Sequence, residues 1–307
     1  MRFALLAILG ALVFGGGALL LSGGFYGLEL FVMVPLFLGA LAECCRRSPS
    51  GGGAAGVGAL TVFVANAALL VLGQEGLICI AMSIPLTVPL GAIGAYLTYA
   101  VGRSQVPGNE AATFFLLLPL GAGALDLDLT AKPPVYEART SVEIAAAPEQ
   151  VWKYVVAFSE MPPPEEWFFK AGIGYPERVG IEGSGVGATR YCEFSTGPFV
   201  EPITIWDEPR LLEFNVTESP ASMHELSPYG EVSPKHLHGY MISKRGQFRL
   251  TPLGNGHTLL IGTSWYQHGL WPAQYWRLWS DAIVHRVHLR VLNNIRTLAE
   301  ADAARAR

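Results

Sequence analysis

The chain has 307 residues, enough for two domains. Its 51% hydrophobic content and mean hydropathy of +0.34 exclude an ordinary soluble protein. A formal net charge of −4 excludes the strongly basic balance of a nucleic-acid binder.

The apolar excess lies at the N-terminal end. Up to Thr130 there are only four basic residues (Arg2, Arg46, Arg47, Arg103) and six acidic ones, and the other 17 basic and 19 acidic residues all follow. Residues 1–130 therefore read as an all-α transmembrane domain and 131–307 as a soluble domain. Behind Arg2, Phe3–Leu21 has the length of a spanning helix. A signal peptide is the competing reading, but more apolar segments follow at once and no small-x-small cleavage site stands out. Phe25–Ala42, carrying Glu29 and Pro35, is the second expected span, and Ala54–Leu72 the third. Leu77–Val101 is the fourth, with kinks expected at Pro85 and Pro89. Ala111–Leu125 is shorter and holds Pro119, so it reads as a fifth span or as an interfacial helix.

Arg2, Arg46-Arg47 and Arg103 fall on one side if the spans alternate, while Ser22–Gly24 and Gln74–Gly76 carry no Lys or Arg. The positive-inside rule then puts the N-terminus in the cytoplasm. Five spans make the soluble domain extracytoplasmic, as in a bacterial inner-membrane protein, and four make it cytoplasmic. The five-span arrangement is the expectation.

The cysteines are Cys44, Cys45, Cys79 and Cys192, with no CxxC and no Cys/His metal spacing. No disulfide framework, metal site or cofactor is expected. Cys44-Cys45 beside Arg46-Arg47 reads as a boundary pair or a lipidation site.

After the stiff linker Thr130–Pro134, Thr140–Ile144 alternates as a strand does. Pro148–Phe158 has a helical apolar face of Val151, Tyr154, Val155 and Phe158, and Pro162–Phe169 opens a second short helix. Strands are expected at Glu177–Ile181, Ala188–Phe194, Val200–Trp206, Leu211–Thr217, Gly239–Leu250 and Thr258–Tyr266, with Glu218–His238 as a loop at a cavity mouth. The last helix runs to about Ala299 along a stripe of Val284, Val287, Val291, Ile295 and Leu298.

The order strand, two helices, six strands, long helix resembles the helix-grip superfamily SRPBCC, which includes START lipid-transfer domains and polyketide cyclase/dehydrase-like proteins. Ser141–Val155, with its strand, small-residue turn, proline and Val151-Trp152 helix start, carries the resemblance. Gly185–Arg190, Trp206–Leu212 and the closing helix extend it over about Val135–Ala299. The resemblance implies an α+β helix-grip: a curved antiparallel sheet around the C-terminal helix, with an apolar cavity between them.

Trp265, Tyr266, Trp271, Tyr275, Trp276 and Trp279 are the candidate ligand-binding aromatics, with Trp167 and Phe168 on the opposite lip. Trp and Tyr suit a cavity mouth because a large apolar body carries one polar end; core packing accounts for them equally well. Candidate acid–base groups are His268, Glu193, Glu201, Asp281 and His285. Asp281 and His285, four apart, can pair, although the 3.6-residue period puts His285 about 160° from Val287, where a surface ion pair is expected. Charged residues on outward strand positions are common, so an inward Glu193 or Glu201 is the minority outcome.

These readings converge on membrane-anchored binding or transport of a lipid or other hydrophobic small molecule. The alternatives are a polyketide cyclase/dehydrase-like enzyme and a membrane sensor or assembly partner. Membrane and apolar ligand are the expected partners, nucleic acid is not, and the sequence names no protein partner.

Overall fold

A computed structural model describes residues 15–17, 20, 26–103 and 133–305. Of the expected span Phe3–Leu21 only 15–17 and 20 are described, all helical, and Ala111–Leu125 lies outside the described residues. A π-helical turn, Glu29–Met33, runs into α1 (Val34–Arg46), then α2 (Gly51–Val71) and α3 (Leu77–Arg103). Next come β1 (Val135–Ile144), α4 (Pro148–Val156), the single turn α5 (Trp167–Lys170), β2 (Pro176–Glu182), β3 (Thr189–Phe194), β4 (Gly197–Asp207) and β5 (Leu211–Asn215). A small hairpin of β6 (Glu225–Ser227) and β7 (Gly230–Val232) precedes β8 (Met241–Pro252), β9 (Thr258–His268) and α6 (Ala273–Arg305).

These elements form two compact units. Met1–Pro133, Glu225–His236 and Gly269–Trp276 make the first; Pro134–His224, Leu237–His268 and Arg277–Arg307 make the second. The sequence reading draws one boundary after residue 130, whereas folding assigns two later segments to the first unit.

In the first unit, α1, α2 and α3 approach each other through glycines. A side chain at Gly39 or Gly58 would strike the Gly91 carbonyl, and one at Gly94 the Leu36 carbonyl. Small residues at such crossings let helix backbones touch where no water drives apolar association. Polar links reinforce the contact: Asn66 Nδ2 donates to Thr87 Oγ1 at 3.2 Å, and Ser83 Oγ donates to Asn66 Oδ1 at 3.1 Å. Pro85 and Pro89 both lie inside α3, which continues through them as one helix.

Among the described residues, α2 and α3 are long and apolar enough to cross a membrane. Their apolar side chains include Leu60, Phe63 and Val64, which are 61%, 51% and 56% exposed. Of the four or five expected spans, only Ala54–Leu72 and Leu77–Val101 thus coincide with candidate spans among the described residues. Phe25–Ala42 is not one of them, because Glu29–Met33 winds as π-helix and the regular helix after it has 13 residues. Pro35, which has no N–H to give a preceding turn, sits at that junction.

The second unit is a seven-stranded antiparallel sheet in the order β1-β9-β8-β5-β4-β3-β2, with α6 against it. This is the helix-grip arrangement. Six expected strands coincide with β2, β3, β4, β5, β8 and β9 to within a few residues. The β6–β7 hairpin escapes sequence reading because each strand has three residues, too few to display alternation. Val291, Leu292, Ile295, Ala299 and Ala303 of α6 are buried in one core with Ile144, Leu212, Phe214 and Leu260. A side chain on Gly262 would meet Leu292 at 3.5 Å, an ordinary van der Waals distance, so α6 packs directly on β9 here.

The two faces of α6 predict unequal costs of truncation. Leu292 is 0% exposed, so Leu292→Ala is expected to lower stability by about 2–5 kcal/mol, as in other buried leucines. Leu289, three residues away and 41% exposed, should change it by under about 1 kcal/mol on the same substitution. Tryptophan-fluorescence melting of the full chain in detergent measures both, and equal effects would contradict the facing.

Candidate functional site

Strand alternation builds the site. On β3, Arg190, Cys192 and Phe194 recur at every second residue, so they share a face, and on β4 Phe199 and Glu201 do the same. All five line a cavity inside the second unit. Phe214, Phe248, Gly262 and Tyr266 continue the wall across the sheet, and Ile283, Val284, Val287, His288 and Val291 of α6 close it. Ser219–Ser222 contribute a rim, so part of the expected mouth loop does reach the cavity. The space is about 1080 Å³, part of it open to solvent.

The wall carries one buried ion pair. Arg190 and Glu201 are direct cross-strand partners, and Arg190 Nη1 donates to Glu201 Oε2. Their side chains are 2% and 8% exposed. The guanidinium carbon lies 5.2 Å from the Phe214 ring centre and 5.3 Å from that of Phe248, within cation–π range of both. Burial pushes the Glu201 carboxyl up, and the adjacent guanidinium opposes that shift. Among the described residues, Arg190 Nε has no hydrogen-bond partner although it is buried.

His288 is the second polar group of the wall. Its Nδ1 lies 3.1 Å from Thr140 Oγ1 and its Nε2 2.8 Å from Ser264 Oγ. Burial, with His285 nearby, pushes the imidazole down to about 4. Tyr266 OH donates to Asp281 Oδ1 at 2.6 Å, and burial with this carboxylate raises the phenol.

Several sequence candidates lie elsewhere. Glu193 has the opposite strand parity to Arg190 and faces Arg178 at 3.8 Å. The Asp281–His285 pair does not form: Asp281 takes Tyr266 and Arg277, while His285 Nδ1 sits 2.7 Å from Thr140 Oγ1. His285 therefore turns toward β1 rather than to a surface ion pair, and it is His288, one turn on, that lines the cavity. His268 is 3% exposed and stacks on Tyr136 at 5.1 Å. It does not line the cavity, and nor do Glu193, Asp281 and His285.

Of the aromatic run, Tyr266 alone lines the cavity. Trp265 points to the other face of the sheet, where its Nε1 donates to Glu137 and Arg245 covers its ring at 3.8 Å. Trp271, Tyr275 and Trp276 belong to the first unit. Trp271 N donates to the Tyr26 carbonyl, Tyr275 OH to the Met82 carbonyl, and the Trp276 ring lies 4.8 Å from Phe31. Trp279 is half-buried. On α5, Trp167 is 78% exposed while Phe168 is buried under Arg286 at 4.7 Å. The expected two-lipped aromatic gate is thus replaced by a cavity lined mainly by phenylalanines and aliphatic residues. The expectation of no metal-ligand set rests on sequence spacing alone, and in the first unit Glu75, Cys79 and His236 come together.

Solved structures with similar folds include a protein from Nitrosospira multiformis at 16% identity, covering 55% of this chain and 99% of that one, TM-score 0.34. Norcoclaurine synthase from Thalictrum flavum matches at 11% identity over 55% and 94% of the two chains, TM-score 0.35. Zhui aromatase/cyclase from a Streptomyces species matches at 16% over 54% and 94%, TM-score 0.33. No curated protein sequence matches the chain. Residues 136–269, from β1 to the end of β9, match the protein-family model described as polyketide cyclase / dehydrase and lipid transport.

Proposed function

We propose that the chain binds a hydrophobic small molecule with one polar end, a lipid or a compound of similar character, in the helix-grip cavity. The observation that carries this reading is a mostly apolar wall containing one buried guanidinium whose Nε–H is unused. An apolar ligand body gains burial against the phenylalanines and valines, and an acceptor on its polar end satisfies Arg190. The family description, which includes lipid transport, agrees with it.

Catalysis has less support. Glu201 is neutralised by Arg190, and both ring nitrogens of His288 are engaged by hydroxyls. An imidazole pushed down to about 4 is also a weak base at neutral pH.

The reading includes a membrane setting for the first unit, supported by the length and exposed apolar surface of α2 and α3. An extracytoplasmic position for the helix-grip domain is supported by contacts within that unit. Glu225 accepts hydrogen bonds from Ile78 N and Cys79 N, at the start of α3. Glu225 thus lies at the end of α3 away from Arg103. The adjoining Gln74–Gly76 loop has no Lys or Arg, as expected outside the cytoplasm. Alkaline phosphatase fused after Thr130 should be active, and a stable but inactive fusion would place the domain in the cytoplasm.

Two further outcomes are expected. Val287→Trp should fill the cavity and cut loading of a fluorescent fatty-acyl probe at least about tenfold per folded molecule, the effect of roughly 1.4 kcal/mol. Unchanged loading would remove the cavity from the account. Glu201→Ala, which strands the Arg190 charge, should destabilise by about 3–5 kcal/mol, and Arg190→Met with Glu201→Leu should recover most of that.

The pH dependence follows from His288. Its folded value, about 4, lies below the ordinary 6.5, so the unfolded chain binds the proton more readily. The neutral imidazole's contribution is complete above pH 6.5 and is lost as the pH falls from 6.5 toward 4, by up to about 3 kcal/mol. His288→Gln should flatten that part of the stability profile in melts of the full chain, and an unaltered slope would assign the titration to another group.

A further inference from the structure

The first unit holds a buried polar cluster that plays no part in the cavity. We propose that Glu75, Cys79 and His236 form a binding site for a divalent transition-metal ion of the zinc type. Glu75 lies in the turn between α2 and α3, Cys79 in the first turn of α3, and His236 in the 3₁₀ turn Lys235–Leu237 that follows the β6–β7 hairpin. Cys79 Sγ is 2.7 Å from His236 Nε2, and His236 Nδ1 is 3.5 Å from Glu75 Oε2. One ligand atom from each residue lies within 4.8 Å of the others. A tetrahedral ion with bonds of about 2.0–2.3 Å sets its ligand atoms roughly 3.3–3.6 Å apart. It takes one ring nitrogen of His236, so the ligand now at the other ring edge must swing across to it from within 4.8 Å. Thiolate, imidazole and carboxylate together suit zinc and its neighbours, whereas calcium and magnesium select oxygen alone. Three protein ligands leave a fourth position open.

The surroundings are those of a supported site. Tyr26 OH donates to Glu75 Oε1 at 2.8 Å, which leaves Oε2 toward His236, and the Tyr26 ring meets His236 edge-on at 4.9 Å. Glu225 accepts from Cys79 N at 2.8 Å and Ile78 N at 3.1 Å, fixing the backbone that carries the thiol. Such outer partners orient ligands at metal centres. Glu75, Glu225 and Cys79 all ionise to anions, and neither carboxylate is paired with a Lys or Arg among the described residues. A dication supplies the missing positive charge, with Cys79 releasing its proton on binding. A pocket lined by Tyr26, Gln74, Ser233 and Lys235 shares Tyr26 with the cluster.

A thiol, an imidazole and a carboxylate in this order can also act as a proton relay to a nucleophilic sulfur. Two features favour the ion. The Ile78 and Cys79 amides, the donors that a helix start offers to an oxyanion, are already taken by Glu225. Among the described residues no Lys or Arg pairs with either carboxylate, so a bound cation would supply their counter-charge once they ionise.

The test is cobalt(II) and zinc(II) binding to the purified full chain in detergent, with elemental analysis and absorption spectroscopy. About one ion per chain is expected, with a thiolate-to-cobalt charge-transfer band in the near ultraviolet. Cys79→Ser and His236→Ala should abolish the band, whereas Cys44→Ser with Cys45→Ser should leave it unchanged. Tyr26→Phe, which keeps all three ligands, should weaken affinity about 10- to 100-fold, which separates a lost ligand from a misfolded chain. Binding that survives Cys79→Ser would overturn the proposal. So would a folded, metal-free chain in which iodoacetamide alkylates Cys79 rapidly and His236→Ala slows it, since that is the relay.

Discussion

The helix-grip unit depends on the burial of one face of α6, which seats Leu292 against β9 at Gly262. From there toward the C-terminus, Ile295, Ala299 and Ala303 stay in the core. Toward the N-terminus, Val287, Val284 and Ile283 line open space instead, and Val291 belongs to both core and cavity wall. One helix thus serves as core along one half and as cavity wall along the other.

The polar groups of the cavity are placed by the same logic. Arg190 and Glu201 face each other because β3 and β4 pair in a register that makes them direct partners. Phe214 and Phe248 flank the guanidinium, which limits its movement and screens it from water. A buried pair of this kind does little for net stability against an apolar replacement, whereas removing one member is expensive. Its presence in an otherwise apolar wall fits ligand orientation better than fold maintenance.

Much of this domain was legible in the sequence. Alternation and turn residues locate the sheet strands, and the apolar stripe locates α6. Strand parity was available as well and separates inward from outward groups: Glu201 and Arg190 face in, Glu193 faces out, and Trp265 lies between the inward Ser264 and Tyr266. Arg190, a lone arginine at the inward register of Thr189–Phe194, was placed in its strand by the sequence but not singled out as a site residue. The Glu75–Cys79–His236 cluster was not legible, since His236 lies 157 residues from Cys79 and the hairpin before it is too short to read. For the same reason Trp271, Tyr275 and Trp276 were assigned to the cavity, whereas they pack in the first unit.

The central claim is that the hydrophobic ligand resides between the sheet and α6. Photo-crosslinking of the full chain with a diazirine-bearing fatty-acyl probe, followed by peptide mapping, tests it directly. The account predicts labelled peptides containing Phe194–Glu201, Phe248 or Ile283–Val291, all from the cavity wall. Labelling confined to α2 and α3, with none on those peptides, would show that the probe merely partitions among the apolar helices and would contradict the claim.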